Sequence, residues 1–262
     1  MSSYNTKIMG ILNITPDSFS DGGKFIELDN ALSHMQEMID QGADIIDIGG
    51  ESTRPNSIRI PWEEEFSRIK PLLSAIKGSH IPISIDTMNS RTALASLDYG
   101  VEYINDVSGG IYDDQMYKVI ADNNVNYICQ HWRVNMDSIE AEKYWNLLHD
   151  VMHELYVRIK NMREIGIKDE KIIIDPGLGF YKTHEQSWEL LNKVDRLKEL
   201  GFPILIGASR KRMTVLYDKV SISDRDKVTA KISAFCEDHN IWGVRVHNVA
   251  LTKKYLEGRA VK

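Results

Sequence analysis

The sequence predicts an α/β protein, a parallel eight-stranded (β/α)8 barrel in which residues 1–262 form a single domain. Eight short apolar runs rich in β-branched residues alternate with segments of helical period, at about 33 residues per unit, the size of a strand plus a helix. Most runs are continuously apolar, which is typical of parallel strands covered on both faces. An open doubly wound sheet is the alternative arrangement of the same elements.

The predicted strands are evenly distributed along the chain. They end near positions 14, 48, 85, 106, 130, 175, 207 and 246. No Pro/Gly/Ser-rich stretch and no run of one charge divides the chain into parts. This continuity favours one domain.

Helical patterns follow the strands. Asp29 is the predicted N-cap of a helix that Gly42 ends, and Ser90 is the predicted cap of a shorter helix. The longest pattern runs from about residue 138 to 165, and Thr183 begins another helix.

Composition narrows the classes of function. The chain has 32 Lys and Arg against 38 Asp and Glu, a net charge of −6, which argues against nucleic acid as a partner. No apolar stretch approaches the roughly 18 residues of a membrane span, and no signal peptide is recognisable, so we expect a cytoplasmic protein without membrane association. Cys129 and Cys236 lack the spacing of metal ligands, which fits a reducing compartment.

Polar residues follow every predicted strand. The carboxyl ends of parallel barrel strands converge on one rim, so these residues are expected to be neighbours in space. Helix capping explains any one of them, but their occurrence after all eight strands favours a binding site. They are Asn13, residues 51–54, Asp86, Asn105 and Asp106, Gln130 and His131, Asp175, residues 209–211, and Arg245 with His247 and Asn248.

The acidic and amide members of this set suit a flat nitrogen heterocycle. Asp86, Asn105 and Asp175 offer oxygen acceptors, and one carboxylate can accept a paired N–H edge with both oxygens. The sequence therefore predicts a heterocycle site formed by strands three, four and six.

The cations after strands seven and eight predict an anion site. Barrels of this class frequently hold phosphate there. Residues 210–212 are Arg, Lys and Arg at a predicted helix N-terminus, where positive charge opposes the helix dipole unless an anion is bound.

Two segments have the composition of working loops. ITPDSFSDGGKF follows the first strand, and ESTRPNSIRIP follows the second. Asn13, Asp17 and Asp21 offer oxygen ligands of the kind that Mg²⁺ prefers.

Seven motifs, in order along nearly the whole chain, closely resemble the dihydropteroate synthase family. They are LNITPDSFSDGG, DIGGESTRP, SIDT, NDVSGG, DPGLGF, GASRKR and RVHNV. The resemblance implies a barrel, usually a homodimer, that condenses 6-hydroxymethyl-7,8-dihydropterin diphosphate with 4-aminobenzoate. It also implies Mg²⁺-assisted release of diphosphate, formation of 7,8-dihydropteroate and inhibition by sulfonamides.

The resemblance implies a pterin site on strands three, four, six and seven. It assigns pterin binding to Asp86, Asn105, Asp175, Phe180 and Lys211. Among these residues, it gives Asp86 and Lys211 catalytic roles.

A diphosphate site is implied in the same way. It consists of Asn13, Thr53, Arg54, Arg245 and His247. Asn13 is also implied to contact Mg²⁺, and Arg54 to act in catalysis.

The resemblance places 4-aminobenzoate against the loops. Its pocket is implied to consist of Phe19, Thr53, Pro55 and Ser209. Asp21 is implied to act in catalysis by supporting the closed first loop.

Two other functions share part of this pattern. A pterin-binding methyltransferase barrel would use Asp86, Asn105 and Asp175 without needing the diphosphate cluster or the TPDSFSDGG loop. A catalytically weak pterin-binding paralogue is the second alternative, because Gln130 and Asn248 stand where the family usually has Met and Asp.

Overall fold

A computed structural model describes residues 5–14, 24–52, 59–133, 143–215 and 221–258. Eight parallel strands are present at the predicted places. They are β1 Lys7–Asn13, β2 Ile45–Gly49, β3 Ile83–Asp86, β4 Tyr103–Asp106, β5 Asn126–Gln130, β6 Ile172–Asp175, β7 Leu205–Ile206 and β8 Gly243–Val246.

The strands form a barrel and not an open sheet. They pair in the order β6-β5-β4-β3-β2-β1-β8-β7, so the first strand lies inside the sheet. Ile174 of β6 forms a parallel bridge with Ile204, next to the start of β7, and its N–H donates to Pro203 O at 2.9 Å. This bridge joins the two ends of the sheet and confirms the predicted (β/α)8 barrel.

Nine α-helices occur in the described part of the chain. They are α1 Lys24–Asp40, α2 Trp62–Ala75, α3 Ser90–Leu97, α4 Met116–Asn123, α5 Leu147–Ile165, α6 His184–Asn192, α7 Val194–Leu197, α8 Ile222–Asp238 and α9 Val249–Glu257. None of these helices has both the length and the apolar character needed to cross a membrane.

Several helix ends follow from local sequence. Gly42 and Gly166 have φ of +96° and +103°, a conformation that glycine adopts readily, and each follows a helix. The Thr183 side chain accepts from Gln186 N, and Gln186 returns a hydrogen bond to the Thr183 N–H. This capping box is the predicted start of α6.

Other predicted helix starts are wrong. Helix α1 begins at Lys24, so Asp29 lies inside it, and α5 begins at Leu147 instead of near residue 138. Ser90 is the first residue of α3 instead of its cap, and its N–H donates to the Asp113 carboxylate at 2.8 Å. A side chain from the next βα unit thus satisfies the helix end, which local sequence does not reveal.

The outer face of the barrel packs against the helices. Ile46, Ile48 and Ile85 point outward into one large apolar core with helix residues such as Met38 and Leu72. Apolar residues on the facing helix stripes supply the other half of this core.

The inner face changes from apolar to polar along the strands. Met9, Ile45, Ile128, Ile173 and Leu205 form a separate apolar cluster inside the barrel. Because side chains alternate along a strand, the residues two positions further on also point inward. Those after Ile45, Ile128 and Ile173 are Asp47, Gln130 and Asp175. The apolar cluster is therefore the floor of the barrel interior, and a polar layer lies above it towards the carboxyl ends of the strands.

We predict that Thr183→Ala lowers the free energy of unfolding by about 1 kcal/mol, because the α6 capping box loses its acceptor. Thr183→Ser keeps the hydroxyl and serves as the matched control. Urea denaturation of the three proteins checks this; equal stability of Thr183→Ala and wild type would show that the cap contributes nothing.

Candidate active site

Four adjacent strands align polar residues at the mouth of the barrel. Asn13, Gly49, Asp86 and Asn105 are successive register partners on β1 to β4. Gly49 leaves space between its neighbours: a side-chain carbon there would lie 3.3 Å from Asn13 Oδ1 and 3.8 Å from Asp86 Oδ2. Asn13 and Asp86 therefore border the same opening.

Arg245 holds two buried carboxylates inside the barrel. Its Nη2 donates to Asp86 Oδ2 and its Nε to Asp47 Oδ2, both at 2.5 Å. The Asn105 side-chain amide also donates to Asp47 Oδ2, at 3.1 Å. Strand β8 is thereby tied across the barrel to β2, β3 and β4.

Asp86 offers an acceptor to the mouth. Its Oδ1 has no hydrogen-bond partner among the described residues, although the side chain is buried. Burial raises the pKa of Asp86 to about 7; the Arg245 cation opposes this rise and the Asp47 carboxylate adds to it. A bound group that donates to Asp86 therefore favours its ionised form.

Asp175 and Lys211 lie together on the other side of the mouth. Asp175 Oδ2 and Lys211 Nζ are 3.4 and 3.5 Å from the point that a side-chain carbon at Gly207 would occupy. The Lys211 ammonium lies 4.4 Å from the centre of the Phe180 ring, a cation–π contact. Burial lowers the pKa of Lys211 to about 8, and the Asp175 carboxylate opposes this fall.

The loops after β7 and β8 meet through Ser209 and His247. The Ser209 hydroxyl is 2.9 Å from His247 Nδ1 and accepts a hydrogen bond from the His247 N–H at 3.1 Å. This pair connects the two loops, and His247 follows Arg245 by two residues.

The chain matches the model of one protein family, described as pterin binding enzyme, over residues 9–247. It is 47% identical to the dihydropteroate synthase of Clostridium beijerinckii over 93% of this chain and 89% of that protein. It is 40% identical to the dihydropteroate synthase of Mycobacterium leprae over 95% of this chain and 90% of that protein. The chain belongs to the dihydropteroate synthase family. It is therefore a transferase.

Solved dihydropteroate synthases have the same fold. The Clostridium difficile enzyme, determined in the presence of pteroic acid, has a TM-score of 0.91 and 38% identity, covering 100% of this chain and 98% of that one. The Xanthomonas albilineans enzyme with 4-aminobenzoic acid has a TM-score of 0.90 and 32% identity, covering 100% and 94%. The Anaplasma phagocytophilum enzyme with bound 6-hydroxymethylpterin monophosphate has a TM-score of 0.88 and 40% identity, covering 98% of each chain.

The barrel mouth collects the described residues that the dihydropteroate synthase motifs single out. These are Asn13, Asp86, Asn105, Asp175, Phe180, Ser209, Lys211, Arg245 and His247. Electrostatic interactions of Arg245 with Asp175 and of Lys211 with Asp86 link the two sides. Phe19, Asp21, Thr53, Arg54 and Pro55, and also Asp17, lie outside the described residues.

The predicted helix start at residues 210–212 is wrong. Residues Arg212–Thr214 form one 3-10 turn, and α8 begins only at Ile222. The dipole of α8 therefore does not act at residue 210 and does not favour an anion there. Arg210 instead forms a two-point ion pair with Asp226, at 2.8 and 2.9 Å, and Arg212 is exposed.

Not every polar strand end belongs to the site. Asp106 accepts from Ser108 and Gly110 N–H groups and from the Tyr127 hydroxyl, so it closes the turn after β4. His131 is buried between Glu154 and Lys182. The polar residues after the eight strands therefore do not all belong to one site.

Asp47 is a site residue that the sequence analysis missed. It lies within the apolar run ADIIDI, whose pattern predicts only a buried strand. A carboxylate between Ile46 and Ile48 is the feature of the sequence that indicates an ion pair here, because a buried charge needs a partner. Arg245, in the equally apolar run of β8, is that partner.

We predict that Arg245→Met lowers the free energy of unfolding by about 3 kcal/mol at pH 8, because Asp47 and Asp86 would stay buried without their cation. The loss shrinks as the pH falls from 8, because without its cation Asp86 takes up a proton at a higher pH than the value of about 7 that it has beside Arg245. Urea denaturation at pH 6 and pH 8 measures both effects. Adding Asp47→Asn should recover part of the loss, and identical midpoints for Arg245→Met and wild type at pH 8 would refute this account.

Proposed function

We propose that the chain condenses 6-hydroxymethyl-7,8-dihydropterin diphosphate with 4-aminobenzoate to form 7,8-dihydropteroate and diphosphate. The observation that carries the proposal is the barrel mouth itself. There, an Asp86 oxygen without a partner among the described residues and the Asp175–Lys211 group border one opening. Its relatives were solved with pteroic acid, 4-aminobenzoic acid and a pterin monophosphate, which are the product type and the two halves of this reaction.

The pterin ring suits the acceptors of the mouth. Asp86 and Asp175 offer carboxylate oxygens to the amino and ring N–H groups, and Asn105 offers a carboxamide. Lys211 has its aliphatic chain against Gly179 and its ammonium over Phe180, so it can donate to a ring acceptor. A planar ligand thus meets donors and acceptors along its edges.

The diphosphate is proposed to lie beside Asn13, Arg245 and His247, with Thr53 and Arg54 from the second loop. Arg245 uses Nε and Nη2 for the two carboxylates, and its Nη1 takes part in neither contact. Arg245 is therefore held by acids on one side and has a donor left for an anion. Negative charge that grows on the departing diphosphate would be stabilised there.

Mg²⁺ is proposed to accompany the diphosphate. In the described part of the chain, no three His, Cys, Asp or Glu side chains are grouped so as to hold a metal ion by themselves. Mg²⁺ often takes only one or two protein oxygens and completes its shell with substrate phosphates, and the Asn13 carboxamide fits that pattern. When bound, Mg²⁺ neutralises charge on the leaving group.

The carbon that loses diphosphate becomes electron-poor. We place the ionised Asp86 near this centre, where its charge stabilises the cation before the 4-aminobenzoate nitrogen attacks and loses a proton. No covalent enzyme intermediate is needed, and Cys129 is unsuited to form one because it is buried and burial raises its pKa to about 12. Asp21 and the first loop are proposed to exclude water from this cation.

The 4-aminobenzoate pocket is proposed to include Phe19, Thr53, Pro55 and Ser209. Ser209 is the member that the structure describes; it belongs to the same turn as Lys211 and contacts His247. A sulfonamide shares the shape of 4-aminobenzoate and is proposed to compete with it. We also propose a single-domain protein that acts as a cytoplasmic homodimer; the buried, unpaired Cys129 and Cys236 fit a reducing compartment.

Diphosphate release in a mixture of pterin diphosphate, Mg²⁺ and 4-aminobenzoate tests the function. We predict that Asp86→Ala and Lys211→Ala lower turnover by about 100-fold or more, because each removes a charge at the reacting centre. Lys160→Ala, which removes an exposed cation, is the control and should leave turnover unchanged. Cooperative thermal unfolding of both site variants is expected, because mouth residues contribute little to the apolar core.

Other outcomes separate the alternatives. Pterin binding without turnover that depends on 4-aminobenzoate would reject the synthase and favour a weak paralogue. Methyl transfer from a folate to a corrinoid protein would favour a methyltransferase.

Pterin affinity should depend on pH. We predict that it rises as the pH passes about 7, because Asp86 then ionises and accepts N–H donors, and falls above about 8, because Lys211 loses its charge. Fluorescence titrations of 6-hydroxymethylpterin between pH 5.5 and 9 measure this profile. Asp86→Asn should remove the rise while keeping the fall; a rise that persists in Asp86→Asn would assign it to another group.

A further inference from the structure

The turn that carries Lys211 has an unfavourable backbone conformation. The Lys211 N–H donates to Ala208 O at 3.2 Å, so residues 208–211 form a tight turn. Arg210 occupies its third position with φ of +56°. This left-handed conformation favours glycine and is unfavourable for an arginine, so contacts of the side chain must hold it.

Those contacts come from helix α8. Arg210 Nε donates to Asp226 Oδ1 at 2.8 Å and Nη2 to Asp226 Oδ2 at 2.9 Å. The planar guanidinium matches both carboxylate oxygens and so fixes its own orientation. The pKa of Asp226 lies below its ordinary value. Burial alone would raise it, but the hydrogen bonds from Arg210 and Asn248 have the larger effect, so the pair stays charged.

Asn248 joins this pair to the loop after β8. Its Nδ2 donates to Asp226 Oδ2 at 3.2 Å, and its Oδ1 accepts from the Leu251 N–H at 3.0 Å, which caps α9. A carboxamide can make both contacts, whereas an ionised carboxylate can only accept. The neighbouring His247 pairs with Ser209, so two parallel connections run between the β7 and β8 loops.

The residues on either side of Arg210 are those that face the mouth. Ser209 contacts His247, and Lys211 lies over Phe180 beside Asp175. We infer that Arg210, Asp226 and Asn248 form a positioning network that holds Ser209 and Lys211 in the geometry needed for the reaction. This inference rests on the proposed function for the roles of Ser209 and Lys211.

Three substitutions separate positioning from stability. Asp226→Asn removes the charged two-point pair. Arg210→Gly also removes it but relieves the left-handed backbone, so the variant should unfold at or near the wild-type temperature. Asn248→Asp keeps the cap of α9 and faces Asp226 with a second carboxylate.

The chain offers a matched control. Arg163 and Asp169 form a two-point ion pair of the same kind, with both distances 2.7 Å, but it is exposed and precedes β6, at the opposite end of the barrel. Asp169→Asn therefore removes the same chemistry far from the mouth.

Peptide-resolved hydrogen–deuterium exchange of residues 205–215 measures how often the turn opens, and steady-state kinetics measure the consequence for the reaction. We expect faster exchange in Asp226→Asn and Arg210→Gly, and kcat/KM for 4-aminobenzoate lower by about 10- to 100-fold. Asn248→Asp should act in the same direction, and its deficit relative to wild type at the same pH should shrink towards pH 5, where protonation removes the repulsion. Asp169→Asn should match wild type in both measurements.

Unchanged exchange and kcat/KM in Asp226→Asn and Arg210→Gly would overturn the network. A fall in activity that follows thermal stability across the variants, including a destabilised Arg210→Gly, would show a merely structural pair. If wild type itself shows no turnover dependent on 4-aminobenzoate, the proposed function fails, whereas the exchange experiment still decides whether the network holds the turn.

Discussion

The ion pairs of Arg245 with Asp47 and Asp86 are the interaction on which the site depends. Two carboxylates above an apolar floor lose much of their hydration, a loss that only a nearby cation offsets. The guanidinium contacts one oxygen of each carboxylate. It thereby leaves Asp86 Oδ1 as an acceptor at the mouth.

The same contacts connect strands that are distant in sequence. Arg245 of β8 reaches across to β2 and β3, and Asn105 joins β4 to the same Asp47 oxygen. The polar top of the barrel is therefore a cross-linked layer above the packed floor. Its groups are less stabilising than apolar packing would be, which is a common compromise in active sites.

Much of the fold could be predicted because its signals are local. Continuous apolar runs gave the eight strands, and Thr183, Gly42 and Gly166 marked helix ends through short-range chemistry. Two of the wrong predictions concern partners that are distant in sequence. The Asp113 carboxylate accepts from the first N–H of α3. Asp226 on α8 pairs with Arg210, which the sequence predicts to bind an anion.

The part of the site that has local signals was also predictable. Asp86, Asn105 and Asp175 stand at strand ends, where polarity is visible in the sequence. Asp47 stands within a strand, and only the inward register shared with Ile45 shows that it faces Arg245. His131 and Asp106 show the converse, because they are polar strand ends whose contacts stabilise loops.

The raised pKa of Asp86 fits its proposed role in the reaction. Burial makes the negative charge of Asp86 costly, and the N–H donors of a bound pterin offset only part of that cost. As diphosphate leaves, positive charge on the pterin carbon lowers that cost further, so the ionised carboxylate is more stable than in the substrate complex. The interaction is then stronger in the transition state than before it, and only such a difference accelerates the chemical step. Arg245 holds Asp86 through Oδ2, and Oδ1 has no partner among the described residues. The contact that stabilises the barrel mouth therefore also positions the carboxylate for the reaction.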